Sequence, residues 1–153
     1  MCNRPTHTVL AAEEHFHKLE HMYMSLPFNR YFEPKLKVRE GSAELCIPIR
    51  SEFFHAAHAL HGSVYFKALD DSSFFAVSSL VRDVFVFTVS FNIYFTHPVT
   101  SGVLHAHGQV VHQSKNLFLA ESELTDVQGR QVGRGSGCFM RSTIQLSPSI
   151  GYE

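Results

Sequence analysis

The stretch that decides the fold runs from His61 to Asp70 and reads His-Gly-Ser-Val-Tyr-Phe-Lys-Ala-Leu-Asp. It predicts an apolar helix that begins at the turn-like His-Gly pair and carries a carboxylate two to three turns further on. A carboxylate inside an apolar helix costs free energy unless it is paired or takes part in chemistry. At about 1.5 Å of rise per residue, Gly62 and Asp70 lie roughly 12 Å apart along the axis. A reaction centre that uses both residues therefore requires two antiparallel copies of the helix, which predicts a dimer.

The composition is that of an ordinary globular domain. With 153 residues, 44% of them hydrophobic, the chain can bury one core, so residues 1–153 are predicted to form a single domain. A net charge of −1 excludes the basic surface typical of nucleic-acid binding. The apolar stretches are too short to span a membrane, and no charged leader precedes a long apolar segment. Cys2, Cys46 and Cys138 are widely spaced and odd in number, which favours reduced thiols in a cytoplasmic protein.

The first third of the chain predicts a helix followed by a hairpin. Residues 7–26 show helical spacing, and Pro27 ends the helix. Alternating residues on either side of the Gly41-Ser42 turn predict two paired strands, with Pro48 placing the second strand at an edge or a bulge. The predicted buried stripe of the helix consists of Leu10, Phe16, Leu19 and Met22 or Tyr23.

The rest of the chain predicts a central helix and four strands. The helix covers about residues 62–80, and strands follow at 84–95, 103–111, 116–125 and 131–142. Helix, two strands, central helix and four strands make an α+β domain, in which about six antiparallel strands wrap around the central helix. Strict alternation in the first of the four strands puts one set of side chains on a single face: Phe85, Phe87, Val89, Phe91, Ile93 and Phe95.

Three alternating glycines, Gly133, Gly135 and Gly137, leave one face of the last strand without side chains. Glycine inside a strand weakens it, so the row needs an explanation. Either a helix or a ligand approaches the strand closely there, or the strand is twisted or bulged.

The order of the predicted elements and several short motifs resemble those of the hotdog-fold acyl-CoA thioesterases, especially the phenylacetate-pathway subgroup. The resemblance covers about residues 33–144. His61-Gly62-Ser63 is similar to the subgroup's His-Gly-Gly at the start of the central helix, and Asp70 stands at the spacing of its catalytic carboxylate. Further matches are Ser90-Phe91-Asn92-Ile93-Tyr94-Phe95 with His97-Pro98 and Gly102, and the turn and strand from Asp126 to Gly135.

The resemblance implies a hotdog fold with an extra N-terminal helix, its core at about residues 31–144. It also implies an acyl-CoA thioesterase that releases a free acid and coenzyme A, acts as a homodimer or a dimer of dimers, and needs no cofactor beyond the coenzyme A of its substrate. The Gly62 N–H at a helix N-terminus can stabilise the oxyanion that develops on the thioester. Asp70 of the partner subunit can activate water or attack directly, and partial burial should raise its pKa. The resemblance gives Thr88 the task of positioning the water.

Two residues depart from the subgroup's pattern. Ser63 replaces the second glycine and narrows the space beside the helix start. His55 stands six residues before His61, where the subgroup often carries Asn, so we expect an altered pH dependence or activity. His55 could hold the water or the leaving sulfur. Lys115-Asn116 resembles the turn that contacts the phosphates of coenzyme A, with Arg134 and Arg141 on nearby strands.

Simpler explanations exist for each of these residues. Asp70 could be a hydrogen-bonded buried carboxylate, His61 could only cap the helix, and Thr88 could be an ordinary strand residue. Asp71, four residues after Lys67, is expected to be its solvated partner. His55, His58 and His61, or His105 and His107, lack a cysteine or carboxylate at zinc-site spacing, so no metal site is predicted.

Two other functions remain open at this point. A hotdog protein could bind an acyl or aryl thioester without hydrolysing it, because His55 replaces Asn. A hotdog dehydratase would need a His and an acid close together in one site, whereas the acid here lies deep in the helix. The carrier of the acyl group, coenzyme A or an acyl carrier protein, stays open as well.

Overall fold

The computed structural model describes the backbone from Thr6 to Glu153 and the side chains from residue 11 onward. Leu10 of the predicted helix stripe and Cys2 therefore lie outside the described side chains. The helices are α1 (Thr6–Ser25), α2 (Pro27–Tyr31) and α3 (Gly62–Ser78). The strands are β1 (Lys35–Arg39), β2 (Ser42–Pro48), β3 (Val84–Phe95), β4 (Val103–Gln113), β5 (Leu117–Thr125) and β6 (Gln131–Gln145).

The six strands form one antiparallel sheet in the order β1-β2-β4-β5-β6-β3, with α3 packed against its inner face. This confirms the predicted α+β class. The prediction for Pro48 is wrong, because β2 lies between β1 and β4. Pro48 is tolerated there since it is the last residue of the strand, opposite Val103, and proline disturbs a sheet least at a strand end. Pro27 does end α1, but it also begins the short helix α2.

A β-bulge changes the predicted alternation along β3. The pairing with β6 shifts between Thr88 and Ser90, which leaves Val89 as an extra residue. A one-residue shift moves the following side chains to the other face of a strand. Thr88 and Phe91, three residues apart, consequently both point toward α3. Strict alternation was wrong here, and Phe87 and Val89 are largely exposed.

The glycine row in β6 accommodates an aromatic side chain of the neighbouring strand, which neither of the two sequence-based explanations anticipated. A Cβ atom at Gly135 or Gly137 would overlap the ring of Phe91. This ring lies across β6 and packs against Phe66 of α3 and Phe139 of β6. An aromatic ring thus covers the strand where the glycines leave it bare.

The central helix approaches β4 as closely as two backbones can. A Cβ atom at Gly108 would overlap both the backbone carbonyl of Ser72 and the amide nitrogen of Ser73. Both serines are fully buried. The Leu69 carbonyl accepts hydrogen bonds from Ser72 Oγ at 3.1 Å and from Ser122 Oγ of β5 at 2.9 Å. The middle of α3 is therefore fixed to the centre of the sheet.

The N-terminal helix α1 and the C-terminal segment, residues 146–153 after β6, pack together beside α3. Two histidines of α1, His15 and His21, contact Tyr152 Oη at 2.7 Å and the Gly151 carbonyl at 3.2 Å. His15 Nε2 also lies 3.0 Å from the Ser78 carbonyl at the end of α3. Leu19, Met22 and Tyr23 are buried as predicted. None of the helices in the described part of the chain is long and apolar enough to cross a membrane.

Gly108→Ala should destabilise the fold, because the added methyl group must push α3 away from β4. Overpacking of this kind typically costs about 1–3 kcal/mol, and contact with backbone makes the upper end expected here. Urea unfolding measures the loss. Ser136→Ala, on the exposed face of β6, is the control and should stay within about 0.5 kcal/mol of wild type. Equal stability of Gly108→Ala and wild type would contradict the packing described here.

Candidate active site

Asp70 and Thr88 meet on the inner side of the sheet. Thr88 Oγ1 donates a hydrogen bond of 3.1 Å to Asp70 Oδ1, and Thr88 shares the inward face of β3 with the buried Val84 and Val86. Burial raises the pKa of Asp70 to about 6, and the nearby charge of Asp71 adds to this effect. The Thr88 hydrogen bond and the charge of Lys67 oppose the rise in this pKa. Asp70 is thus a carboxylate that titrates close to neutral pH.

A cavity of about 700 Å³ opens beside this carboxylate. Asp70 and Thr88 form part of its wall, together with the neighbouring carboxylate Asp71. The other walls come from α1, from the aromatic residues of α3 and β3, and from the C-terminal segment. They include Met22, Leu26, Phe74, Phe75, Phe85, Phe87, Ile144 and Ile150. The cavity can therefore place an apolar group next to Asp70.

Asp71 belongs to a buried polar network, although a solvated partner of Lys67 was predicted. Lys67 Nζ lies 2.7 Å from Asp71 Oδ2 and 2.8 Å from Asn29 Oδ1, and only 8% of its side chain is exposed. Tyr23 Oη donates a second bond of 2.7 Å to Asp71 Oδ2. The lysine ammonium also faces the rings of Tyr23 and Phe28 at 5.2 and 4.8 Å. The predicted pair exists, but α1 and α2 enclose it.

The start of α3 is capped by His61. Its Nδ1 accepts a hydrogen bond from the Ser63 N–H at 3.1 Å and lies 2.8 Å from Ser63 Oγ. The Val64 N–H donates to the His61 carbonyl at 3.0 Å. Within the described part of the chain, the Gly62 N–H has no such acceptor, and it lies at the positive end of the helix dipole. Ser63 therefore supports the cap, and Gly62 keeps a donor for another group.

A second cavity, of about 420 Å³, lies at this helix start. His55 and Gly62 both line it, as does Phe95, whose ring lies against Gly62. The His55 side chain is exposed, and its Nδ1 accepts a hydrogen bond of 3.1 Å from the Ala57 N–H. The structure thus brings His55 to the helix start, as the sequence predicted. Gly62 and Asp70, however, line different cavities of one chain.

The residues expected to contact coenzyme A lie elsewhere. Lys115 and Asn116 are exposed in the β4–β5 turn and line neither cavity. Arg134 extends over the outer face of the sheet toward Glu121 and Glu123, and Arg141 pairs with Asp83. A single chain therefore does not gather these groups around either cavity.

Within the described residues, no three His, Cys, Asp or Glu side chains form a group that could hold a metal ion. His105 Nδ1 lies 3.2 Å from Cys46 Sγ on the outer face of the sheet, and burial raises the pKa of this thiol. Cys46 and Cys138 are both free.

Several residues of the site were not found from the sequence. Tyr23 and Asn29 supply the polar network, Phe85 supplies a cavity wall, and Ile150 comes from the last residues of the chain. The aromatic excess, 14 Phe and no Trp, was the available signal for an apolar cavity. It could not indicate which rings line it, because this depends on how α1 and the C-terminal segment pack.

Comparison with known proteins identifies the family. The chain matches the model of the Thioesterase superfamily over residues 57–133, just over half of its length. A protein of Sulfurisphaera tokodaii named "Putative esterase" is 28% identical over 104 residues, which cover 67% of this chain and 77% of that protein. The chain belongs to the thioesterase superfamily, and its general activity is thioester hydrolysis.

Solved structures show the same fold. The E. coli PaaI protein from the phenylacetic acid degradation operon superposes with a TM-score of 0.81 at 19% identity, covering 89% of this chain and 99% of PaaI. A thioesterase family protein from Silicibacter pomeroyi superposes with a TM-score of 0.74 at 22% identity, covering 80% of this chain and 94% of that one. These similarities confirm the predicted hotdog fold.

Lys67→Met should be strongly destabilising, because it leaves the carboxylate of Asp71 inside the protein without its cation. Breaking a buried ion pair on one side costs about 3–5 kcal/mol. The double variant Lys67→Met/Asp71→Asn removes both charges and should recover much of this loss. Urea unfolding of the four proteins of this double-mutant cycle gives the coupling free energy. Additive effects of the two single variants would show that the pair is solvated after all.

Proposed function

We propose that the protein hydrolyses acyl-CoA thioesters to a free acid and coenzyme A, with Asp70 as the base or nucleophile. The observation that carries this proposal is the placement of Asp70 beside a large apolar cavity, with Thr88 holding one of its oxygens. No metal or cofactor is required by this chemistry, since the coenzyme A belongs to the substrate.

The environment of Asp70 suits a base that works at neutral pH. With its pKa raised to about 6, the group is largely ionised at pH 7 and still a stronger base than an exposed aspartate. The Thr88 hydroxyl holds Oδ1, so the second oxygen can accept a proton from water or attack the thioester carbon. Thr88 thereby orients the carboxylate and helps position the water.

The N-terminus of α3 polarises the thioester carbonyl of the substrate. The Gly62 N–H points out of the first turn without an acceptor among the described residues, and the helix dipole favours negative charge there. Such a donor stabilises the oxyanion that forms when the thioester is attacked. His61 positions this turn through its cap, while His55 lies at the cavity beside it and can contact the water or the leaving sulfur.

The reaction centre forms between two subunits of a homodimer. Gly62 and Asp70 lie roughly 12 Å apart along one helix and line different cavities, so each site combines Gly62 of one copy with Asp70 of the other. β3 supports this arrangement, because it is a 12-residue edge strand with exposed Phe87 and Val89. A long apolar edge of this kind is typical of a strand that pairs with another chain.

The coenzyme A contacts follow from the same dimer. Ser63 stands beside the helix start, and we assign the phosphates to Lys115 and Asn116, whose turn would be brought to the site by the partner. Two such dimers can assemble further into a dimer of dimers. The free thiols of Cys46 and Cys138 support a reducing compartment, such as the cytoplasm.

Asp70→Asn should lower kcat/KM for acyl-CoA hydrolysis by at least ~100-fold, because the amide cannot act as a base. The wild-type rate should rise with pH and level off above about 6, as the carboxyl group loses its proton. Release of free thiol from acyl-CoA between pH 5 and 8 measures both effects. Turnover of Asp70→Asn within a few-fold of wild type would exclude Asp70 as the catalytic residue.

Stability gives a control that does not depend on activity. The pKa of Asp70 is higher in the folded state than the unfolded value of about 3.9, so ionisation favours unfolding. The contribution of Asp70 to stability therefore falls as pH rises from about 4 through about 6. Asp70→Asn should be more stable than wild type at pH 8, and this difference should vanish near pH 4.

Complementation tests the shared site. Proline is tolerated at the first position of a helix, so Gly62→Pro should keep α3 while deleting the N–H donor. Gly62→Ala is the control that retains this N–H. Chains carrying Gly62→Pro or Asp70→Asn should each be inactive, whereas their coexpression should restore about a quarter of wild-type activity, since half of randomly mixed dimers contain one intact site of two. No recovery in a mixture shown to contain heterodimers would place each site within one chain.

A further inference from the structure

We propose that the cavity beside Asp70 is the acyl pocket and selects uncharged, apolar acyl groups of medium to long chain over short or anionic ones. This inference rests on the proposed function and specifies its substrate class. The specificity comes from α1 and the C-terminal segment, which close the cavity from outside the sheet.

The size of the cavity argues against short acyl groups. Its volume of about 700 Å³ lies in the upper part of the range of about 300–1,000 Å³ that holds drug-sized ligands. An acetyl or propionyl group would leave most of this space unfilled. Each methylene added to the acyl chain transfers more apolar surface from water to the cavity wall, until the wall is covered.

Most of the cavity wall is apolar. Phe74 and Phe85 pack against one another at 5.4 Å between ring centroids and form a half-buried wall. Leu26 and Ile144 are 49% and 43% exposed at the mouth. Large apolar side chains that lie close together and are exposed to solvent are typical of a surface that binds an apolar group.

The polar residues of the cavity wall do not contradict this assignment. Tyr23 Oη and the buried Lys67 both donate to Asp71. Asn29 accepts from Lys67 and donates to the Tyr23 carbonyl, so the polar groups of Tyr23 and Asn29 need no partner from a ligand. The carboxylate of Asp70 puts negative charge on one wall, whereas the charge of Asp71 is balanced by Lys67. A second carboxylate at the far end of a dicarboxylic acyl group would meet like charge there and lose its water.

Residues from both ends of the chain line the pocket, because α1 and the C-terminal segment form part of its wall. Leu26 follows α1, and Ile150 lies in the segment that His21 holds through the Gly151 carbonyl. Replacing a side chain here changes the pocket without touching Asp70 or the sheet. Leu26 is the best position for a test, because it is 49% exposed and its replacement by a larger side chain need not disturb the core.

Thiol release from acetyl-, butyryl-, octanoyl-, dodecanoyl- and succinyl-CoA tests the inference on the wild-type chain. We expect kcat/KM to rise about threefold to fourfold per methylene, or about 100-fold from butyryl to octanoyl. Succinyl-CoA should be hydrolysed at least tenfold more slowly than butyryl-CoA. Equal rates for acetyl- and dodecanoyl-CoA, or a preference for succinyl-CoA, would overturn the inference while leaving the proposed hydrolysis intact.

Leu26→Trp should fill the mouth and lower the ratio of kcat/KM for dodecanoyl-CoA to that for butyryl-CoA by about tenfold or more. Leu119→Trp, at a similarly exposed leucine on the outer face of the sheet, is the matched control and should not change this ratio. A ratio that is the same in both tryptophan variants would remove Leu26 and its cavity from substrate selection.

A binding measurement separates the pocket from the chemistry. Calorimetry with Asp70→Asn and dodecanoyl-CoA should show binding that is at least tenfold tighter than with butyryl-CoA, and the preference should fall in Asp70→Asn/Leu26→Trp. If no acyl-CoA is hydrolysed but this preference is found, the pocket assignment stands and the proposed hydrolysis fails. Absence of a chain-length preference in binding overturns the pocket assignment.

Discussion

The packing of α3 directly on the backbone of β4 at Gly108 is the contact on which the rest of the structure depends. Because no side chain separates the two backbones, Ser72 and Ser73 are fully buried and the helix cannot shift along the sheet without steric overlap. Asp70 lies less than one turn before this contact. The same packing that stabilises the core therefore fixes the position of the carboxylate relative to Thr88.

Two consecutive aspartates of α3 have different environments for a geometric reason. Successive helical residues point about 100° apart, so Asp70 faces Thr88 on β3 while Asp71 faces Tyr23 on α1 and Lys67 on its own helix. Asp71 is neutralised by a buried cation, whereas Asp70 receives only a hydroxyl hydrogen bond. Burial consequently raises the pKa of Asp70, which is the carboxylate that the proposed chemistry uses.

The length of the central helix keeps apart two groups that the proposed hydrolysis needs at one thioester bond. One end offers a capped N-terminus with the Gly62 N–H, and the middle offers the carboxylate beside the large cavity. In the proposed mechanism, one chain thus contributes halves of two different active sites. The long edge strand β3 offers the surface through which a second copy would complete both, which ties the proposed activity to assembly.

The order of helices and strands in this protein follows from the local sequence, whereas several contacts of the fold and of the site do not. The apolar helix from Gly62, the strands and their turns were predictable because periodicity and glycine or proline punctuation act within a few residues. For the same reason, Asp70, Gly62 and the cap at His61 could be found from one ten-residue stretch. Thr88 was found only through the family resemblance, and the bulge that brings Phe91 to the same side of β3 is not revealed by alternation.

Contacts between distant parts of the chain decided the remainder. Phe91 covers the glycine row of β6, Lys67 is buried by α1 and α2, and Ile150 reaches the cavity wall because the C-terminal segment packs on α1. A sequence pattern records which residues are apolar or charged but not which of them meet across the fold. Only tertiary packing determines whether a charge is solvated or enclosed, and hence which of two neighbouring carboxylates lacks a cation and has a raised pKa.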